Sequence, residues 1–139
     1  PASAAKTFVE TLTRHGELIL FSAATPGQGG MRHVNEQPLQ YWRDLFGEFG
    51  FAALDAVRPA IQTVKDIQPW YRYNSIMYVQ ARRLASLRQE IRDFAIHPNQ
   101  PIRDVSPLLF KIRKLLVRPL PVFAVDWLAT AKAARHQGK

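Results

Sequence analysis

Apolar positions in the first half of the chain change from helical spacing to continuous runs, and this change predicts alternating helices and strands. Apolar residues recur at helical intervals after Ser3, a suitable N-cap, and predict a first helix that ends at Gly16. Residues 17–24 then form an almost unbroken apolar run of strand length, which is typical of a strand covered on both faces. We therefore expect a first helix followed by a buried, central strand.

Residues 25–37 separate this strand from the next helix. The segment is dense in glycine and polar side chains, which continue neither a helix nor a strand, and it predicts a loop. Pro38 suits the first position of a second helix, whose apolar face ends at Gly50. Further strands are predicted over 51–58 and 75–80, joined by an irregular crossing. The order is helix, strand, helix, strand, strand.

The remaining sequence predicts helices that carry one apolar and one basic face. A first amphipathic helix follows residue 81 and is ended by His97-Pro98. A second begins at Ser106-Pro107, and we expect its leucines to face inward and its lysines and arginines to face solvent. A last helical segment is predicted over 122–135.

The net charge divides along the chain at the same place. Residues 1–81 carry seven basic and seven acidic side chains, whereas residues 82–139 carry twelve basic and four acidic ones, so the formal net charge of +8 belongs entirely to the second part. Nucleic-acid binding is disfavoured, because the basic residues spread over three predicted helices without a recognisable motif. We expect an α/β part over 1–81 and a basic helical extension over 82–139.

Composition narrows the class of protein further. The chain has 139 residues, 47% of them hydrophobic, which suits one domain, and no apolar run approaches the roughly 20 residues of a membrane-spanning helix. The absence of cysteine excludes disulfides, thiolate nucleophiles and Cys-ligated zinc. The histidines are isolated, so no metal site is expected. The default location is the cytoplasm.

Several stretches in and around the predicted loop form a recognisable pattern. They are Leu18-Ile-Leu-Phe-Ser-Ala-Ala-Thr-Pro-Gly-Gln-Gly-Gly30, His33-Val-Asn-Glu-Gln37, Tyr41-Trp42, Gly50-Phe51, Trp70-Tyr71 and Asn74. This pattern resembles the C-terminal half of class I S-adenosylmethionine-dependent methyltransferases, specifically the small bacterial methyltransferase-domain proteins with a PGQGG and HVNEQ loop after the fifth strand. The resemblance covers about residues 3–80 and is most specific in the loop.

This resemblance implies the last three strands of a partial Rossmann-like sheet. The family's strand order is 3-2-1-4-5-7-6 with the seventh strand antiparallel, and the strands here would be the fifth, sixth and seventh. The glycine-rich turn and the acidic residue that hold S-adenosylmethionine would precede Pro1, and no such pattern lies in this chain. We therefore expect part of a longer or processed protein that transfers a methyl group to a small molecule, and a chain that alone binds no cofactor and is inactive.

The loop over 25–37 supplies the candidate site residues, because open α/β sheets place ligands at the carboxyl ends of strands. His33 is the candidate catalytic base, since its pKa range suits proton removal from an acceptor. The candidate substrate-binding residues are Gln28, Asn35, Glu36, Gln37, Tyr41 and Trp42. In the structural alternative, the polar residues before Pro38 cap the second helix and His33 only hydrogen-bonds within the loop.

Two further interactions follow from the pattern. An unpaired strand over 18–24 would expose backbone donors and acceptors, which favours a homodimer through this edge. The basic amphipathic tail over 82–139 supports an alternative function, a non-catalytic module that binds an anionic membrane surface or an acidic partner and so places the protein at the membrane periphery. The bland alternative is that the tail's leucines pack on the sheet. Stacking of Trp70, Tyr71 and Tyr73 on a flat substrate competes with ordinary packing.

Overall fold

The computed structural model describes residues 2–29 and 35–120, together with residue 124. The predicted order of helix, strand, helix, strand and strand is found, and the fold is a mixed α/β one with a small antiparallel sheet, but the stretch 58–74, predicted as a strand end and an irregular crossing, contains two short helices. The three strands are β1 (Leu18–Ser22), β2 (Phe51–Leu54) and β3 (Ser75–Gln80). The helices are α1 (Ala5–His15), α2 (Leu39–Glu48), α3 (Arg58–Ile61), α4 (Pro69–Asn74), α5 (Gln89–Arg92) and α6 (Leu108–Val117), with short 3-10 helices over Ala2–Ala4 and Ala81–Ser86.

The strand that comes last in the sequence lies in the middle of the sheet. The order is β1-β3-β2, and β3 runs antiparallel to both neighbours. Leu18 pairs with Val79 on one side of β3, and Leu54 pairs with Met77 on the other. All strand pairs of this sheet are therefore antiparallel, while β1 and β2, which do not touch, point in the same direction.

The core lies between one face of the sheet and the helices α1 and α2. The helical spacing predicted for α2 is confirmed, because Leu39, Trp42, Leu45 and Phe46 are all buried. Phe46 stacks on Tyr78 of β3 with ring centroids 3.9 Å apart. Burial raises the pKa of the Tyr78 hydroxyl well above its ordinary value, so this side chain stays neutral in the core.

The prediction that residues 17–24 form a buried, central strand is wrong. β1 is an edge strand, and only alternate side chains, Ile19 and Phe21, pack against the core. Leu18 and Leu20 point to the other face of the sheet and are 57% and 63% exposed. An apolar run specifies two faces that can be buried, but burial also requires a layer over each face. On the face of Leu18 and Leu20, Val79 and Leu54 are buried, whereas the edge strand β1 is left uncovered.

The prediction of one amphipathic helix between residue 82 and His97 is also wrong. This stretch is divided into the 3-10 helix, α5 and an extended segment around Ala95. The backbone N–H of Ile96 donates to the carbonyl of Ala53 over 2.8 Å, and that of Asp55 donates to the carbonyl of Phe94 over 2.9 Å. Backbone pairing with the free edge of β2 thus replaces the helical hydrogen bonds that the amphipathic pattern predicted.

The helix predicted after Ser106-Pro107 is confirmed as α6, with Lys111 and Arg113 exposed as predicted, but the prediction that its leucines face inward is wrong. Its leucines are exposed, whereas the side chain of Lys114 is only 11% exposed. Leu108, Leu109, Leu115 and Leu116 therefore do not pack on the sheet. The helical segment predicted over 122–135 lies outside the described residues, apart from residue 124.

Candidate functional site

A cavity of about 440 Å³ lies at the carboxyl end of β1. Its walls come from the loop after β1, the first turn of α2, the junction of α4 with β3, and α6. The polar groups that line it include Thr25, Gln40, Asn74, Asp104, Lys111, Lys114 and Arg118. This is the end of the strand at which the sequence predicts a ligand site.

The glycine loop beside the cavity is held by its own side chains. The backbone N–H groups of Gly27 and Gly29 each donate to the carboxylate of Glu36 over 2.9 Å. Both glycines have a positive φ, 76° at Gly27 and 66° at Gly29, a backbone conformation that residues with a side chain rarely adopt. Glu36, which the sequence predicted to bind substrate, thus accepts hydrogen bonds from the backbone of its own loop.

Gln28 ties the same loop to the sheet. Its side chain is buried, and its Oε1 accepts a hydrogen bond of 2.6 Å from Nδ2 of the buried Asn74, the last residue of α4. Both amides lie out of water, where an unpaired polar group costs about 1–3 kcal/mol. The pair therefore fixes the loop against the start of β3, and Asn74 reaches the cavity wall from this position.

The other predicted site residues take different places. Gln37 Nε2 donates to Asn35 Oδ1 over 2.9 Å, and the backbone N–H of Gln37 donates to the carbonyl of Ala24. α2 begins after Pro38 without a side-chain capping hydrogen bond at that residue. His33 lies outside the described residues, so its role as a base stays a prediction.

Tyr41 and Trp42 belong to the aromatic core. The indole of Trp42 is buried and lies 4.9 Å from the ring of Phe21, centroid to centroid. Tyr41 packs edge-on against Trp42 at 5.2 Å. Neither residue lines the cavity, whose wall on α2 is formed by the preceding residues of that helix.

Helix α6 brings positive charge to the cavity. The sequence had assigned this basic helix to an extension separate from the α/β part that contains the predicted site. Phe110 packs on Tyr73 with ring centroids 5.6 Å apart, and Lys114 donates to Asp104. Lys111 and Arg118 also line the cavity, and neither pairs with a carboxylate among the described residues. The lining therefore carries more positive than negative charge.

The contact between α6 and the glycine loop explains why residue 27 is glycine. A Cβ atom at Gly27 would lie 2.2 Å from the carbonyl oxygen of Lys114, well inside van der Waals contact. The backbone of α6 thus approaches the loop directly, through space that only a missing side chain leaves open.

A buried arginine holds the far side of the site together, and the sequence analysis missed it. Arg58 is 1% exposed and donates to both carboxylate oxygens of Asp55 over 2.7 Å. Its Nη1 also donates to the carbonyls of Tyr73 and Arg103. The signal in the sequence was an acid and an arginine three residues apart at the end of a predicted strand. This one side chain positions the segments that lead into β3 and α6.

The pair of Asp104 and Lys114 gives a pH-dependent contribution to stability. Burial of the Asp104 carboxyl acts to raise its pKa, but hydrogen bonds from Lys114 and Ser106 outweigh burial and hold the pKa below its ordinary value. Because the folded-state pKa is the lower one, the stabilisation is complete above the unfolded-state pKa and is lost as the pH falls through the folded-state pKa.

We therefore expect the unfolding free energy of the natural protein to fall more steeply in acid than that of the Asp104→Asn variant. Urea unfolding over a series of pH values measures both. Curves that stay parallel down to the acid limit would contradict the assigned role of Asp104.

Neither a metal site nor a known relative assigns the function. Among residues 2–29 and 35–120, no group of three or more His, Asp or Glu side chains comes together to hold a metal ion. None of the helices in that part of the chain is both long and apolar enough to cross a membrane. Comparisons with protein-family models, curated proteins and solved structures find no match. The function is therefore argued from the fold and the cavity.

Proposed function

We propose that this chain is the acceptor-side portion of an S-adenosylmethionine-dependent methyltransferase that methylates a small molecule. The strand order carries the proposal. β3 is last in the sequence, lies between β1 and β2, and runs antiparallel to both. Strands that are consecutive in the sequence are usually neighbours in a sheet. An order in which β3 lies between β1 and β2 is therefore uncommon, and it favours the few topologies that contain it. It is the order expected for strands five, six and seven of the family that the loop resembles.

The place of the cavity supports the same proposal. Ligands of open α/β sheets bind beyond the carboxyl ends of the parallel strands, and the cavity lies beyond the carboxyl end of β1. Residues 25–29 and 35–37 of the loop that follows β1 form a fixed wall, because Glu36 holds the backbone of the two glycines and Asn74 holds the buried Gln28. A rigid wall suits methyl transfer, in which the acceptor atom must be held in line with the methyl group.

The charge of the cavity points to an acceptor with a negative group. Lys114 is neutralised by Asp104, whereas Lys111 and Arg118 have no carboxylate partner among the described residues. Two uncompensated cations at one cavity wall favour a carboxylate or a phosphate, with which they form charge-assisted hydrogen bonds. In this proposal the chain binds and orients the acceptor.

The described residues do not fit S-adenosylmethionine itself. The N–H groups of Gly27 and Gly29 are the natural donors of the glycine loop, and both already donate to Glu36. The sequence also lacks the spaced glycines and the following acid that hold a nucleoside. Cofactor binding would therefore come from polypeptide beyond these residues, and no step of the transfer is assigned to this chain's glycines.

The open side of β1 is where such a polypeptide would pair. The backbone N–H of Gln80 donates to the carbonyl of Glu17, and in an antiparallel ladder alternate residues of β1 then direct their backbone groups away from β3. These groups and the exposed Leu18 and Leu20 form an edge that accepts another strand. A second copy of the chain is the homodimer form of this proposal.

Calorimetry with S-adenosylhomocysteine tests the proposed function. We expect no binding by the 139-residue chain alone and measurable binding by the product of its complete reading frame, whose intact mass is determined first. The Lys111→Gln variant of that product should keep this binding, because Lys111 lines the acceptor cavity. Sedimentation of the same samples reports any pairing of copies. If the complete product fails to bind, the proposal is wrong.

A second candidate function is favoured by one observation on α6. The apolar face of this helix is exposed, which fits an interaction module better than a helix that only lines a cavity.

A further inference from the structure

The outward face of α6 is a contiguous apolar surface. Five large side chains of this ten-residue helix are between 44% and 81% exposed. They are Leu108, Leu109, Ile112, Leu115 and Leu116. At 3.6 residues per turn they cover an arc of roughly 120° along the whole length of the helix. Single exposed leucines are ordinary, but a complete apolar helix face marks a surface that binds something.

Contacts on the opposite side fix the rotation of the helix. Phe110 packs on Tyr73, and Lys114 bonds to Asp104. The carbonyl of Lys114 also lies against Gly27. These three contacts hold the inward side of α6, so the leucines cannot turn toward the protein body without breaking an ion pair and an aromatic contact.

Basic side chains lie on both flanks of the apolar face. Arg113 lies on one flank, and Lys111 and Arg118 lie on the other, as the helical periodicity places them. None of the three pairs with a carboxylate among the described residues, and α6 itself contains no acidic residue. An apolar arc bordered on both sides by cations is the pattern of a helix that lies in a membrane interface.

We propose that α6 docks the protein on an anionic lipid bilayer. The leucines enter the boundary between headgroups and acyl chains, and Arg113 contacts lipid phosphates, while Lys111 and Arg118, which also line the cavity, add positive charge beside the bilayer. A bilayer satisfies both features at once, because it offers a flat apolar layer directly beneath a layer of negative charge. An acidic polypeptide would neutralise Lys111 and Arg113 but would leave the leucines in water. This proposal does not depend on methyl transfer.

Vesicle sedimentation tests the docking surface. We expect the protein to bind vesicles of phosphatidylcholine mixed with an equal part of phosphatidylglycerol, and to bind pure phosphatidylcholine vesicles far more weakly. Removing two flanking charges in a Lys111→Gln/Arg113→Gln variant should lower the partition coefficient about thirtyfold. Added salt should also lower the partition coefficient, because it screens the attraction between the cations and the anionic lipids.

The apolar part of the proposal has its own variants. Leu109→Glu and Leu116→Glu place a charge on the apolar face, where the natural side chains are already exposed and the fold does not depend on them. Both variants should lose vesicle binding and keep their circular dichroism spectrum. Val64→Glu, at an exposed apolar position outside α6, is the matched control and should bind as the natural protein does.

Three outcomes would overturn the proposal. The first is the absence of binding to the mixed vesicles, which includes the case that another part of the protein covers the face. The second is equal binding to neutral vesicles, or binding that Leu109→Glu leaves unchanged. The third is a protein that does not bind vesicles but binds polyglutamate, with the Leu109→Glu and Leu116→Glu variants binding polyglutamate equally well. That result would mean that the cations bind an acidic polypeptide.

Discussion

Replacing Asp55 by alanine is expected to lower the free energy of unfolding by about 3–5 kcal/mol, because it leaves a buried guanidinium without its counterion. Arg58 is almost fully buried and donates a hydrogen bond of 2.7 Å to each oxygen of the Asp55 carboxylate. Without that carboxylate, only the carbonyls of Tyr73 and Arg103 remain as acceptors. Neither carries the negative charge that compensates for the loss of water around the guanidinium.

Urea unfolding with linear extrapolation measures this loss, and an exposed ion pair provides the control. Lys6 and Glu48 pair over 2.7 Å with side chains 68% and 52% exposed. The Glu48→Ala variant should therefore be destabilised far less than Asp55→Ala, because solvent screens an exposed ion pair. If Asp55→Ala proves no more destabilising than Glu48→Ala, Arg58 does not hold the site together as described.

Replacing Gly27 by alanine is the second large effect that we expect. The left-handed backbone conformation at φ 76° costs a residue with a Cβ about 1–2 kcal/mol. The Cβ would also meet the carbonyl oxygen of Lys114 at 2.2 Å, and forced overpacking of this kind costs about 1–3 kcal/mol more. The protein can relieve the contact by moving α6 away from the loop, and then the amides of α6 should exchange faster with solvent.

Gly50 is a matched control for this prediction. It has nearly the same φ, 75°, but a Cβ at this position would meet nothing within 4 Å. Gly50→Ala should therefore show only the conformational part of the cost and leave exchange in α6 unchanged. Equal losses in the two variants would mean that the approach of α6 to the loop contributes nothing to stability.

The local sequence patterns predicted which segments form helices and strands better than they predicted what each of these elements packs against. The helical spacing of Leu39, Trp42 and Phe46 was sufficient to predict the buried face of α2, because nothing else competes for that face. The same reasoning failed for α6, where Phe110 and Lys114 turn inward. Periodicity identifies two faces of a helix, but the partner that covers one of them is decided by contacts distant in sequence.

A cavity lies beside the loop in which the sequence predicted the site, but the predicted residues that the structure describes have other partners. The loop after β1 does border a cavity, yet Glu36 and Gln28 are used within the loop and Trp42 within the core. Polar residue types near a strand end indicate that hydrogen bonds will form there, without indicating whether the partner is a ligand or the chain. The pairing of Arg58 with Asp55 and the approach of Lys114 to Gly27 depend on the tertiary fold.

The central position of β3 has a consequence for how the protein folds. In the described sheet, β1 and β2 contact only β3 among the strands, so neither can form a ladder before residues 75–80 have been synthesised. The pairing of Leu18 with Val79 closes a loop of roughly 60 residues, a separation that makes the contact slow to form. During synthesis, β1 therefore waits longer than β2 for its pairing with β3, and the side of its apolar segment that faces β3 stays exposed for that time.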